Sequence, residues 1–134
     1  MSVLPADAYD GRRVLVTGGA GFIGSHLTDA LVERGADVCV LDDLSQGLES
    51  NLESVRDRID FVHGSLLDDE AVRKALDGAE VVFHEAAVTS VPASIERPAI
   101  YHEVNGTGLV RLLEGVRTMG VQRFVFAASS SAYG

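Results

Sequence analysis

Arg13-Val14-Leu15-Val16-Thr17-Gly18-Gly19-Ala20-Gly21-Phe22-Ile23-Gly24-Ser25-His26-Leu27 is the stretch that decides the fold. Its first five residues, mostly apolar and β-branched, read as a buried strand. From Phe22 onward, apolar residues return at helical spacing through Ile23, Leu27, Ala30, Leu31 and Val32, and Gly35 supplies a stop. The glycines between strand and helix satisfy Gly-x-x-Gly-x-x-Gly at 18, 21 and 24, and Gly-x-Gly-x-x-Gly at 19, 21 and 24. A tight strand-to-helix turn of this kind needs positive backbone dihedrals, lets a ligand approach the main chain, and aims the free N–H groups of a helix start at phosphate. A Walker-type loop is excluded, because no Lys-Ser or Lys-Thr pair follows.

Working outward, four further apolar runs read as strands: Asp37 to Leu41, Ile59 to His63, Glu80 to His84 and Gln122 to Ala127. Asp68-Asp69-Glu70 places acidic groups at a helix start ahead of Ala71, Val72, Ala75 and Leu76, with Gly78 ending it. A long helix is expected from about Pro98 to Gly120, its apolar side made of Ile100, Val104, Leu109, Leu112, Leu113 and Val116. Asp43 to Arg58 is ambiguous, a Ser45-Gln46-Gly47 turn followed by a weakly amphipathic segment. This alternation predicts an α/β fold, a doubly wound parallel sheet (Rossmann) with five strands in the order 3-2-1-4-5, in one domain over residues 1–134.

The balance of 20 acidic against 11 basic residues gives a net charge of −9, with the ten arginines and single lysine scattered. That pattern argues against a nucleic-acid partner. The longest apolar runs fall far short of the roughly 20 residues a membrane helix needs, and the first ten residues do not resemble a signal peptide. A cytoplasmic protein with no membrane partner is the expectation. The one cysteine, Cys39, lies in an apolar run and reads as a buried structural thiol. His26, His63, His84 and His102 show no metal-ligand spacing, so no metal is expected, and His84 reads as a core or turn histidine.

Asp42 closes the second strand 18 residues after Gly24, where the adenosine ribose of a dinucleotide is received. Asp43 adds a second negative charge that would repel a 2′-phosphate, which favours NAD over NADP. A purely structural glycine turn is the alternative.

Together, VLVTGGAGFIGSHL (14–27), LDDLSQG (41–47), HEAAVTSVPASIERP (84–98), the Asn105-x-x-Gly108 pair and FVFAASSSAYG (124–134) resemble the extended short-chain dehydrogenase/reductases. Within that family the pattern is most similar to the NAD-dependent nucleotide-sugar epimerases and dehydratases, UDP-glucose and UDP-N-acetylglucosamine 4-epimerases above all. The resemblance implies NAD as cofactor, with Gly18, Gly21 and Gly24 forming the turn and Phe22 and Ile23 lining the pyrophosphate. It implies that Asp42, Asp43 and Leu44 hold the adenosine ribose and that Leu66 flanks the adenine. Ser65 stands where the family usually has an acidic residue touching the adenine amino group. Ala86, Ala87 and Val88 would pass close to the nicotinamide-side ribose, and Asn105 matches the family's helix asparagine beside the cofactor. Gly108-Leu109 keeps only half of the family's Gly-Thr.

Ser129 matches the catalytic Ser/Thr, whose hydroxyl donates to the sugar oxygen undergoing oxidation; the alternative is that these serines only bond the turn. Dehydratases typically carry Asp-Glu where Ser130-Ser131 stand. The family's base is a tyrosine followed four residues later by a lysine. Lys74 is the only lysine, and it follows none of Tyr9, Tyr101 or Tyr133 at that spacing. The resemblance therefore implies the NAD-binding, N-terminal part of a nucleotide-sugar 4-epimerase, catalytically silent alone, with a nucleotide-sugar substrate only in the full-length enzyme. The other expectation is a non-enzymatic nucleotide-binding module or a minimal Rossmann fragment. An apolar edge at Phe124-Val125-Phe126 and the stripe on the 98–120 helix predict a homodimer.

Overall fold

The computed structural model describes Pro5 and residues 7–134. Five parallel strands, β1 (Arg13–Thr17), β2 (Asp37–Asp42), β3 (Ile59–His63), β4 (Val81–His84) and β5 (Arg123–Phe126), form one sheet in the order β3-β2-β1-β4-β5, as the alternation predicts. Side chains alternate across it. Val14, Val16, Val38 and Val40 face one layer, where α1 (Phe22–Glu33) contributes Leu31 and Val32, and a 3-10 helix over Glu49–Arg58 contributes Leu52 and Val55. Leu15, Cys39, Leu41 and Val82 face the other, against Val72, Ala75 and Leu76 of α2 (Asp69–Leu76) and Leu112 of α5 (Gly108–Thr118). Covering both faces buries every strand of the centre, which is why the strand runs are apolar at successive positions.

The helix boundaries follow the local chemistry. Gly35 adopts φ 78° and, with Ala36, returns N–H bonds to Val32 and Leu31, closing α1. Asp68 caps α2 by accepting the N–H groups of Glu70 and Ala71 at 3.0 and 3.2 Å. Three features were not legible in advance. The ambiguous 43–58 segment holds the 3-10 helix, which occupies Glu49–Arg58 after an irregular stretch. A short helix, α3 (Val91–Glu96), follows β4 and is capped by Ser90. The long helix is two α-helical pieces, α4 (Pro98–His102) and α5, joined by a π-helical turn over Glu103–Thr107. It ends at Thr118 rather than Gly120.

In register, Thr17 lies beside Leu41 and His84, Asp42 beside His63, and His84 beside Phe126. The carboxyl ends of all five strands thus gather at one edge of the sheet, where ligands bind in open α/β folds.

Candidate dinucleotide-binding site

At that edge lies a cleft of about 360 Å³ bounded by the glycine-rich turn, the ends of β2 and β3, and the loop after β4. The turn is built so that main chain, not side chain, faces the cleft. Gly18 has φ 68°, and a Cβ there would stand 2.7 Å from the backbone N and Cα of Ala86. Only glycine permits both the left-handed dihedral and that approach. A Cβ on Gly24 would run into the Gly18 carbonyl, so the third glycine lets the helix start pack on the turn. Gly21 precedes α1 without capping it, and the N–H groups of Phe22, Ile23 and Gly24 find no acceptor among the described residues. These donors and the positive end of the helix dipole make a seat for an anion, and no acidic residue in the first turn opposes it.

Asp42 anchors the opposite wall. It is 8% exposed, and one carboxylate oxygen accepts the Ala20 N–H at 2.9 Å while the other accepts the Leu44 N–H at 2.8 Å. A carboxylate offers about four lone-pair sites, so two remain to accept ribose hydroxyls. Ala20 is held from the other side as well, its carbonyl accepting from Leu48 N–H at 3.0 Å and Asn51 Nδ2 at 2.8 Å. Asn51 lies in the segment whose sequence was ambiguous, and nothing in its spacing announces this role.

The loop after β4 is set by a buried pair. Thr17 Oγ1 lies 2.6 Å from Nδ1 of His84 and accepts the N–H of Ala86 at 3.3 Å. Burial pulls the His84 imidazole down to about 4, so the ring is neutral near neutral pH. Its face packs against Phe124 and Phe126. Burial also raises the carboxyl of Glu85, which lines the cleft, above the ordinary carboxylate value.

Eleven of the residues singled out from sequence line the cleft: Gly18, Gly21, Phe22, Ile23, Gly24, Asp42, Asp43, Leu66, Ala86, Ala87 and Val88. Three do not. The Leu44 side chain packs against the core on the α1 side, with φ 58°, and only its N–H serves the site, through Asp42. Asn105, in the π-helical turn, is turned to the loop rather than the cleft: its Oδ1 accepts the Val88 N–H and its Nδ2 donates to the Val88 carbonyl, both at 2.9 Å. It fixes the loop as a neighbouring strand would. Ser129 is exposed and caps a 3-10 turn over Ser130–Tyr133, accepting the Ser131 N–H at 3.1 Å. The turn-bonding alternative describes its contacts. Gly64, Ser65 and Val104 also line the cleft, contributed by the β3 end and the π-helical turn. Among the described residues no group of three or more His, Cys, Asp or Glu side chains could hold a metal ion, and no helix is long and apolar enough to cross a membrane.

The model of the NAD-dependent epimerase/dehydratase family matches residues 14–134. The chain belongs to this family. It is 39% identical over 127 residues to a UDP-glucose 4-epimerase of Erwinia amylovora, covering 90% of this chain and 38% of that relative. The chain thus spans little more than a third of that relative's length. Among solved structures, an epimerase of Methanothermobacter thermautotrophicus superposes with a TM-score of 0.89 at 42% identity, over 93% of this chain and 37% of that one. A UDP-glucose 4-epimerase of Thermus thermophilus in complex with NAD superposes with a TM-score of 0.81 at 44% identity, over 87% of this chain and 37% of that one.

Proposed function

We propose that this chain is the NAD-binding part of a UDP-sugar 4-epimerase, acting in the cytoplasm. The observation that carries the reading is the uncapped start of α1 facing a cleft whose opposite wall is Asp42. The pyrophosphate would lie on the N–H groups of Phe22, Ile23 and Gly24, with Gly18 and Gly21 giving it room. The adenosine ribose would meet Asp42, with Asp43 disfavouring a 2′-phosphate and the Leu44 N–H holding the carboxylate in place. Leu66 would flank the adenine. Ala86, Ala87 and Val88, pinned by Thr17 and Asn105, would pass along the nicotinamide half. The chemistry that NAD supplies when bound is reversible oxidation of a sugar hydroxyl to a ketone.

Ser129 would orient that hydroxyl, its own donor proton being free while its oxygen caps the turn. No tyrosine here has a lysine four residues on, so the 134-residue chain alone would hold NAD without turning over UDP-galactose. Val125 and Phe126 on the outer strand, 39% and 52% exposed, favour self-association through β5 or the 98–118 helix. Light scattering checks this, and a monomer at tens of micromolar (roughly where weak edge pairing shows) would rule it out.

Calorimetric titration with NAD, with NADP as the comparison, tests the cofactor reading. Binding of NAD that is lost in Asp42→Ala and weaker by tenfold or more for NADP (about 1.4 kcal/mol) is the expected result. Equal affinity for both, or no binding of either, overturns it.

A further inference from the structure

A dinucleotide carries a doubly anionic pyrophosphate, and the cleft offers it no cation. Among the described residues the cleft wall holds the carboxylates of Asp42, Asp43 and Glu85 and no arginine, lysine or histidine. The free N–H groups at the start of α1 supply the attraction. The three carboxylates differ in what holds them. Asp42 accepts the Ala20 and Leu44 N–H groups, and Asp43 accepts the Ser45 N–H at 2.9 Å, so both are stabilised as anions. Glu85 has no hydrogen-bond donor or cation on its carboxylate among the described residues; burial alone acts on it, and raises it. Its backbone is fixed beside the glycine turn. The Glu85 N–H donates to the Thr17 carbonyl at 3.1 Å, and a Cβ on Gly18 would stand 3.0 Å from the Glu85 carbonyl carbon.

We propose that the cleft takes its dinucleotide with Glu85 in the acid form, so that binding draws a proton from solvent and strengthens as pH falls through the neutral range. The inference rests on the dinucleotide reading above and adds a protonation state to that site. A dianion seated beside an unpartnered carboxylate disfavours ionisation of that carboxylate. Once protonated, the group no longer repels the ligand and can donate to one of its oxygens. The other titratable groups around the loop do not meet the same condition. His84, on β4, is neutral in this range. His63, on β3, donates from Nε2 to the Asp43 carbonyl at 3.3 Å, and His26, on α1, stacks on Phe22; neither lines the cleft. From the helices after the loop, Glu96, His102 and Glu103 are exposed and lie outside it.

The experiment is calorimetric titration of the full 134-residue chain with NAD at pH 6 and pH 8, and at pH 7 in two buffers of different ionisation enthalpy, PIPES and imidazole. The dependence of the heat on the buffer counts the protons taken up. The native chain is expected to take up about half a proton or more at pH 7 and to bind about tenfold more tightly at pH 6 than at pH 8. Glu85→Gln, which keeps the shape of the acid form, should lose both the uptake and the pH dependence, and at pH 8 should bind about tenfold more tightly than the native chain. Glu85→Ala, a second way to remove the charge, should lose the pH dependence as well, and circular dichroism confirms the fold of each. Native binding with no uptake and a flat affinity overturns the inference without recourse to a variant. Uptake that persists in Glu85→Gln puts the proton elsewhere, and weaker binding by Glu85→Gln at pH 8 makes the carboxylate an acceptor for the ligand; either result overturns it too. All three outcomes leave the dinucleotide reading intact, since NAD binds in each. Failure of NAD to bind any of these chains at any pH overturns that reading and this inference with it.

Discussion

Acid should loosen this protein through one residue. His84 is buried beside Thr17 and against the Phe124 and Phe126 rings, and burial lowers it to about 4, against an ordinary value near 6.5. Because the folded value lies below the unfolded one, the unfolded chain takes up the proton first. The His84 contribution is complete above about pH 6.5 and is lost as pH falls toward 4. Between pH 7 and pH 5 the linkage removes about 2 kcal/mol of stability. With a urea slope of about 2 kcal/mol per molar, the unfolding midpoint should fall by about 1 M over that range. Glu85, whose carboxyl burial raises, works in the opposite direction and stays in both proteins when the variant is His84→Gln. Urea unfolding at pH 7, 6 and 5, followed by circular dichroism, should show the native midpoint falling more steeply than that of His84→Gln. Parallel losses in the two proteins would refute the assignment, since glutamine has no proton to take up.

Gly18→Ala should cost about 3 kcal/mol, the left-handed dihedral contributing 1–2 and the overlap with Ala86 the rest; a melting temperature lower by roughly 10 °C checks it. Cys39 is buried and its thiol is pushed up to about 11 by burial, so a thiol reagent should leave it unmodified in the folded chain and react promptly in urea. Asn105→Ala removes both bonds to Val88 while leaving the cleft wall in place. Amide exchange across 86–90 should quicken by about tenfold, and NAD affinity should fall with it. Exchange unchanged from the native chain would mean that the loop is ordered by other contacts.

What the sequence made legible is what depends on periodicity and on glycine. The five strands, their order, the ends of α1 and α2 at Gly35 and Gly78, and the turn at 18–24 all follow from local patterns whose physics is short-range. Residues 43–58 resisted because a 3-10 helix lacks a strong periodic stripe, and its tertiary role rests on Leu52, Val55 and Asn51 meeting α1 and Ala20. The π-helical turn was hidden for a different reason. Its sequence continues the helical spacing, and the widening shows only in the backbone. The contacts that Asn105 and Leu44 make within the chain were hidden in the same way: one ties down a loop and the other packs its side chain on the core.

Asp42 has a consequence for how cofactor preference could change over evolution or by engineering. The same carboxylate that would receive the ribose also restrains Ala20 and the turn at Leu44, and it does so from a buried position. Exchanging it for a small or basic residue to admit a 2′-phosphate would strand the Ala20 N–H in the interior, at about 1–3 kcal/mol. Selection for NADP would therefore meet a folding barrier at the first step. Asp43, more exposed and with its side chain bonded only to the Ser45 N–H of its own turn, is free to vary without that barrier. A switch of preference in this scaffold should begin at Asp43 and reach Asp42 only after a stabilising change elsewhere.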